Sequence, residues 1–496
     1  MRYSAFSIGS VCVILSLGTA IAAAEDTSGS IDARYRETAR RIIDATMREN
    51  DAWKKMEGLC DGIGHRLSGS PELERAVEWA IETMRRDGQE NVRAEKAMIP
   101  KWTRGSEWAK LVAPRDESMH MLGLGMSVGT PPEGVTGEVI VVQDEASFDK
   151  VADRLRGAIV LFNNPMPKWT EEGGSHYGQC VRFRGKGPDM AAEKGAIACL
   201  VRSVTARSLR SPHTGATHHD EAHSSIPGAA ISTEDADMLQ RLYDSGEKPV
   251  VTLKMDAKYH GLVPGANVVG ELRGSERPDE VVVISGHLDS WDVGQGAHDD
   301  GGGCVAAMEA INVLRRLGLR PRRTIRVVLW TNEENGLAGA RQYVEDHQDE
   351  LARHVGAIES DAGTFRPVGL SVQHKDKDRQ AAGAERVKEI LSLLDSIGPM
   401  KATQGWSGAD IGRMRDAGVP LMGVMVYGEK YFDYHHTHAD TLDKIDPTEL
   451  SQNVAMMAVV SYVLADMPGR LDDLPAVQPT NMHSLQGGMK AAPLHP

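Results

Sequence analysis

From residue 281 to 426 the chain repeats one hydrophobic pattern. Short, mostly apolar runs at 281–284, 325–330, 355–358 and 421–426 alternate with stretches whose apolar residues recur at helical spacing, as Val305, Met308, Ile311 and Leu314 do. An unbroken apolar run suits a strand covered on both faces. Further helices are expected from Leu337, over 385–394 and over 447–464. Alternation of this kind predicts an α/β fold with a mostly parallel central sheet and helices on both faces.

The earlier part of the chain reads differently. Residues 31–60 form one helical pattern, 58–69 a loop, and 71–87 a second helix, supported by Leu73, Val77, Ala80 and Met84. From about 120 to 258 the pattern changes to short β-rich runs at 138–142, 158–162, 197–201 and 250–253, with helical stretches at 189–195 and 234–245 between them. This segment reads as a compact β-rich domain of its own. After 467 no period survives, and 468–496 reads as a flexible tail.

Composition narrows the function classes. Acidic residues outnumber basic ones by 70 to 56 in 496 residues, and no Lys/Arg-rich run occurs. Nucleic acid and anionic membrane are therefore excluded as partners. Arg2, the apolar stretch 6–22 and Ala22-Ala23-Ala24 before Glu25 have the layout of a cleavable signal peptide over 1–24. No later stretch is long and apolar enough to span a membrane. The expectation is a soluble protein, secreted or periplasmic. Of the remaining cysteines, Cys60, Cys180, Cys199 and Cys304, only Cys180 with Cys199 makes a candidate bridge; Cys304 reads as a buried small side chain.

Ligands in open α/β sheets bind beyond the carboxyl ends of the strands. Beyond 281–284 stand His287 and Asp289, then Asp299-Asp300 before three glycines and a helix. Beyond 325–330 stand Glu333 and Glu334, beyond 355–358 Asp361, and beyond 421–426 His435, His436, His438 and Asp440. Each is unremarkable alone: a polar strand end, a helix cap, a solvated loop. Together they place a metal-ligand type at the end of every predicted strand of this half. Imidazole and carboxylate without thiolate suit catalytic zinc. The number of donors suits two metals sharing a carboxylate and a hydroxide.

These residues, with GHLDSWDVGQG over 286–296, Glu359 with Asp361 in ESDAGTF, and His436 followed by Asp440-Thr441, resemble the di-zinc exopeptidases of clan MH, which include bacterial leucyl aminopeptidases and glutamate carboxypeptidases. The resemblance spans about 50–465. It implies a zinc exopeptidase fold in which 120–258 is an inserted protease-associated domain, 25–119 the N-terminal part of the peptidase domain, and 259–467 its catalytic part. It implies two zinc ions, with His287 and Asp361 on one, Glu334 and His436 on the other, and Asp299 bridging. Glu333 would be the general base, Asp289 the partner of the His287 imidazole, and the Asp299–Asp300 peptide cis. His435 stands where some relatives place a carbonyl-polarising tyrosine, which makes it the candidate donor there. Asp410, within Trp406-Ser407-Gly408-Ala409-Asp410, falls in the family's substrate-pocket segment.

The activity implied is hydrolysis of dipeptides or short peptides with free termini, by a protein resembling homodimeric relatives. Aminopeptidase action on longer peptides, a single-zinc glutaminyl cyclase and a non-catalytic binding module are the alternatives. The cluster His213, His218, His219 and His223, with Asp220 and Glu221, reads as a solvated loop, with a further metal site as its alternative.

Overall fold

A computed structural model describes residues 30–217 and 226–474. The expected leader, His218, His219, His223 and most of the expected tail lie outside the described residues.

The larger functional unit is an eight-stranded sheet in the order Glu90–Thr103, Lys258–Leu272, Arg323–Trp330, Arg277–His287, His354–Glu359, Leu421–Val426, Pro367–Gln373, Lys401–Gln404. Its middle strands, from Arg323–Trp330 to Leu421–Val426, are mutually parallel. Toward the edges the pairings turn antiparallel. The sheet is thus mixed, with a further parallel pair at one edge between Pro367–Gln373 and Lys401–Gln404. Val282 and Ile284 enter a core shared with the helices Gly302–Arg316 and Pro447–Asp466. Val281 and Val283 pack on the other face against Ala340 and Tyr343 of the helix Ala338–Asp346. Alternate side chains of one strand therefore serve two layers.

The single helix expected over 31–60 is two, Ile31–Arg48 and Ala52–Cys60. Asn50 divides them: its Nδ2 donates to the Thr46 carbonyl at 2.7 Å while its Oδ1 accepts from Ala52 N at 2.9 Å. On the second helix, Lys55 is buried between Asp87, at 3.0 Å, and Glu309.

The second eight-stranded sheet is built wholly from the segment between two neighbouring strands of the first. Thr103 pairs with Lys258, so the chain leaves and returns at the same point. The order is Glu117–Met119, Glu107–Ala113, Val250–Met255, Val135–Val142, Ile159–Phe162, Ala198–Arg202, Gly228–Ile231, Met121–Gly123. The boundary expected at 120 therefore lies earlier. Glu107–Ala113 pairs with Val250–Met255, and the turn that separates the units is at Gly105, whose φ of +69° and contact with Asp256 favour glycine.

Two further expectations change. The tail does not begin at 468: Leu471 is buried and Asp472 accepts from Arg379 at 2.9 Å. Cys180 and Cys199 are not bridged; Cys199 faces one core and Cys180 packs in another with Met166 and Val204.

Candidate active site

The strand Arg277–His287 delivers His287 to the carboxyl edge of the parallel region. The loop after it is held from the N-terminal segment. The buried Arg66 guanidinium donates to the carbonyls of Leu288 at 2.7 Å, Gln295 at 2.6 Å and Gly296 at 2.9 Å. Nothing in the sequence pattern marked Arg66, because its partners are main-chain oxygens that any residue supplies.

His287 Nδ1 meets the main-chain carbonyl of Asp289 at 2.9 Å. Asp289 is thus the partner of that imidazole, as expected, and its carboxylate lies 3.9 Å from the same nitrogen. That carboxylate accepts from Glu333 N at 3.0 Å, Glu334 N at 3.3 Å and Ser68 Oγ at 3.0 Å. It thus shapes the loop that aims both glutamates. Asp440 does the same for Asp299, accepting from His298 N at 2.7 Å and Asp299 N at 3.1 Å. The Asp299–Asp300 peptide is cis.

Asp299 lies between the two imidazoles. His287 Nε2 is 3.1 Å from its Oδ1 and His436 Nε2 is 3.2 Å from its Oδ2. His287 Nε2 is also 3.4 Å from Asp361 Oδ1, and His436 Nε2 3.1 Å from Glu334 Oε2. His435 stacks on His436 with ring centroids 3.5 Å apart and brings its Nε2 to 3.7 Å from Asp299 Oδ2. Glu333 borders a cavity of about 1470 Å³ between the two sheets, along with Trp169, Tyr177, Arg184, Tyr431 and His435.

The electrostatics follow from burying this many acids together. Burial pushes Glu334 up to about 7, and the charge of Asp299 adds to it. Burial lifts Glu333 well above the usual carboxylate range, His287 opposing and Asp361, Glu334 and Asp299 reinforcing. For His436 burial favours the neutral ring, yet Glu334 and Asp299 prevail and raise it to about 9. Burial and the neighbouring His436 hold His435 well below the usual imidazole range.

A metal fits this arrangement. Asp299 Oδ2 is buried without an aligned hydrogen bond, and oxygens and ring nitrogens converge from every side. Potential ligand atoms of His287, Asp299 and Asp361, and of Asp299, His435 and His436, fall into two groups, each within 4.8 Å. Nitrogen and oxygen donors without thiolate suit zinc in a catalytic role.

Two expected residues sit differently. Asp410 is buried behind the cavity wall, with both carboxylate oxygens unpaired. Its neighbour on that wall is Glu359, whose carboxylate accepts from Ala409 N at 3.0 Å and Ile411 N at 2.8 Å. His213 is not on a solvated surface. It is buried, with neither ring nitrogen hydrogen-bonded, close enough to His435 and His436 to influence both.

Known proteins similar to this chain show the family to which it belongs. The model of peptidase family M28 matches residues 267–461. Carboxypeptidase Q of Rattus norvegicus is 42% identical over 93% of this chain and 96% of its own length. The Homo sapiens protein of that name is 41% identical over 87% and 89%. The crystal structure of a peptidase M28 precursor from Shewanella amazonensis is 32% identical and superposes with a TM-score of 0.84, covering 90% of this chain and 99% of that one. A zinc aminopeptidase from Bacillus subtilis, 20% identical with a TM-score of 0.59 over 85% and 97%, shares the fold. The chain belongs to peptidase family M28 and is a zinc-dependent metallopeptidase.

Proposed function

We propose that this peptidase is an exported di-zinc exopeptidase that hydrolyses dipeptides or short peptides with free termini. One observation supports the count of two above all: the two oxygens of Asp299 face different imidazoles, at 3.1 and 3.2 Å. In this reading His287 and Asp361 hold one zinc, Glu334 and His436 the other, and Asp299 serves both.

Bound zinc supplies a Lewis acid for the scissile carbonyl and lowers the pKa of the attacking water. The protein's own groups do the rest. Glu333 takes the water's proton on its carboxylate and passes it to the leaving amine. Asp289 holds Glu333 in place through its backbone N–H. His435, stacked against His436 at the cavity floor, is the donor to the carbonyl oxygen.

The size of the cavity, about 1470 Å³, favours a second reading, an aminopeptidase acting on longer peptides. Ligand pockets are commonly about 300–1,000 Å³. Native mass spectrometry of the purified protein should show two zinc ions per chain, and a peptide panel of graded length should show cleavage of dipeptides. One zinc in an active protein would overturn the di-zinc reading. Cleavage confined to longer peptides would select the aminopeptidase, and cyclisation of N-terminal glutamine without hydrolysis would select the cyclase.

Among the described residues no helix is long and apolar enough to cross a membrane. A mature N-terminus near Glu25 is the export expected of the leader, and a homodimer belongs to the same proposal.

A further inference from the structure

The two central histidines are supported from different places. His287 is held within its own sheet: its Nδ1 by the Asp289 carbonyl and its N–H by Asp300 Oδ2 at 3.0 Å. His436 is held by the inserted unit. Its Nδ1 lies 3.1 Å from the carbonyl of Thr214, and Thr214 N donates back to the His436 carbonyl at 3.0 Å. A carbonyl can only accept, so this contact requires the proton on Nδ1. That leaves Nε2, the nitrogen facing Asp299 and Glu334, as the one whose lone pair a metal would take. His436 also has a φ of +61°, a conformation that side chains other than glycine keep only where the surroundings impose it.

Thr214 is itself rigidly seated. Its Oγ1 donates to the Gly123 carbonyl at 2.7 Å and accepts from Arg104 Nη2 at 3.3 Å. Arg104 is tied to Asp292 of the peptidase unit at 2.6 Å. On the other side, Arg184 bonds Tyr177 Oη at 2.7 Å and brings its Nη1 to 3.4 Å from His436 Nδ1.

We propose that the inserted unit completes the His436 side of the metal centre, with Thr214 as the positioning residue for that imidazole. Seating of the segment 214–215 and occupation of the His436 side by metal are then coupled, each strengthening the other by the same factor. The His287 side, supported within its own sheet, stands outside this coupling. The inference rests on the two-metal reading above.

Gly215→Ala tests it. Gly215 has a φ of +142°, and a Cβ there would lie 2.3 Å from Arg184 Cζ. Either Arg184 or the segment must move, and both border His436 Nδ1. Gly157→Ala is the control, since Gly157 is in the same unit with a φ of +78° and nothing within 4 Å of a Cβ. Cobalt(II) is titrated into metal-free protein and followed by its visible spectrum, with a chelator in competition. In Gly215→Ala one equivalent should bind as in wild type and the other about 10–100-fold more weakly, the usual cost of disturbing a ligand's outer partner. In Gly157→Ala both should bind as in wild type.

Unchanged second-site affinity in Gly215→Ala, or equal weakening of both sites, would overturn the inference. Hydrogen exchange on the wild type needs no variant to fold: added zinc should slow exchange at the Thr214 amide and leave the strand Ile159–Phe162 unaffected. No metal-dependent protection at Thr214 would also overturn it. A wild type that takes up fewer than two metals would instead remove the reading on which it rests.

Discussion

Glu333→Gln separates two neighbouring glutamates that the proposal gives different jobs. The substitution keeps the shape of the side chain and removes its capacity as a base. The loop should not move, because it is fixed through main-chain N–H groups: Glu333 N and Glu334 N both donate to the Asp289 carboxylate, at 3.0 and 3.3 Å. Folding should not suffer either. Glu333 is half-buried beside Asp361, Glu334 and Asp299, so a neutral amide relieves repulsion. The remaining effect is the lost proton transfer, worth about 10²–10⁴-fold in kcat, or about 3–5 kcal/mol of barrier. KM should change little, since the amide removes an interaction made in the transition state. The acid limb of the kcat profile should disappear with the base. Glu334→Gln, by contrast, should lose metal together with activity. The assay is kcat on a dipeptide beside metal content for both variants. If Glu333→Gln loses metal, or keeps more than about a tenth of wild-type kcat, its assigned role is wrong.

In metal-free protein, Glu334 and Glu359 should contribute stability that is lost as pH rises. Glu334 and Glu359 keep their protons up to about 7 when folded, against 4.5 as ordinary glutamates. Their contribution is full below 4.5 and is lost as pH climbs toward 7, by up to about 1.4 kcal/mol per pH unit for each group. Denaturant melts at both ends of that window should show a flatter dependence in Glu359→Gln than in wild type. Lys55→Met should cost about 3–5 kcal/mol by leaving Asp87 and Glu309 buried without their cation. Chemical denaturation measures that loss, and kcat per folded molecule should be unchanged. His435→Phe should keep both metals and lower kcat about 10²–10³-fold, as loss of an oxyanion donor does; stoichiometry beside kcat checks it.

How much was legible in the sequence depended on the kind of signal. The runs around Val281, Ile325 and Leu421 declared their strands because burial on both faces demands unbroken apolar sequence. Glu90–Thr103 did not, since an edge strand carries Arg93, Glu95 and Lys96 and never forms such a run. Its partner, Lys258–Leu272, contains Gly261, Pro264 and Gly265, which interrupt any apolar run. In the site, side chains with recognisable chemistry were found at the strand ends where they were expected. What escaped was support through main-chain atoms: Arg66 gripping carbonyls, the use of the Asp289 carbonyl on His287, and Thr214 on His436. A carbonyl has no residue type, so no motif announces it. Asp410 was named for a segment that does line the cavity, but its own side chain turns away and Glu359 takes the wall.

The pairing of Thr103 with Lys258 also sets an order of events while the chain is being made. The second sheet contains every strand it needs between Glu107 and Met255, so it can close on itself as soon as that segment emerges. The strand Glu90–Thr103 cannot; its strand partner among the described residues, Lys258–Leu272, has not been synthesised. At ~5–20 residues per second the wait is on the order of ten to thirty seconds. Throughout it, an unpaired strand edge is available to any passing chain. Arg93, Lys96 and Lys101 stand along that strand, and Lys96 is exposed even after folding. Such charges guard a ribbon that has to stay solitary until its partner arrives, when Arg93 comes to lie 3.8 Å from Glu271 of that strand.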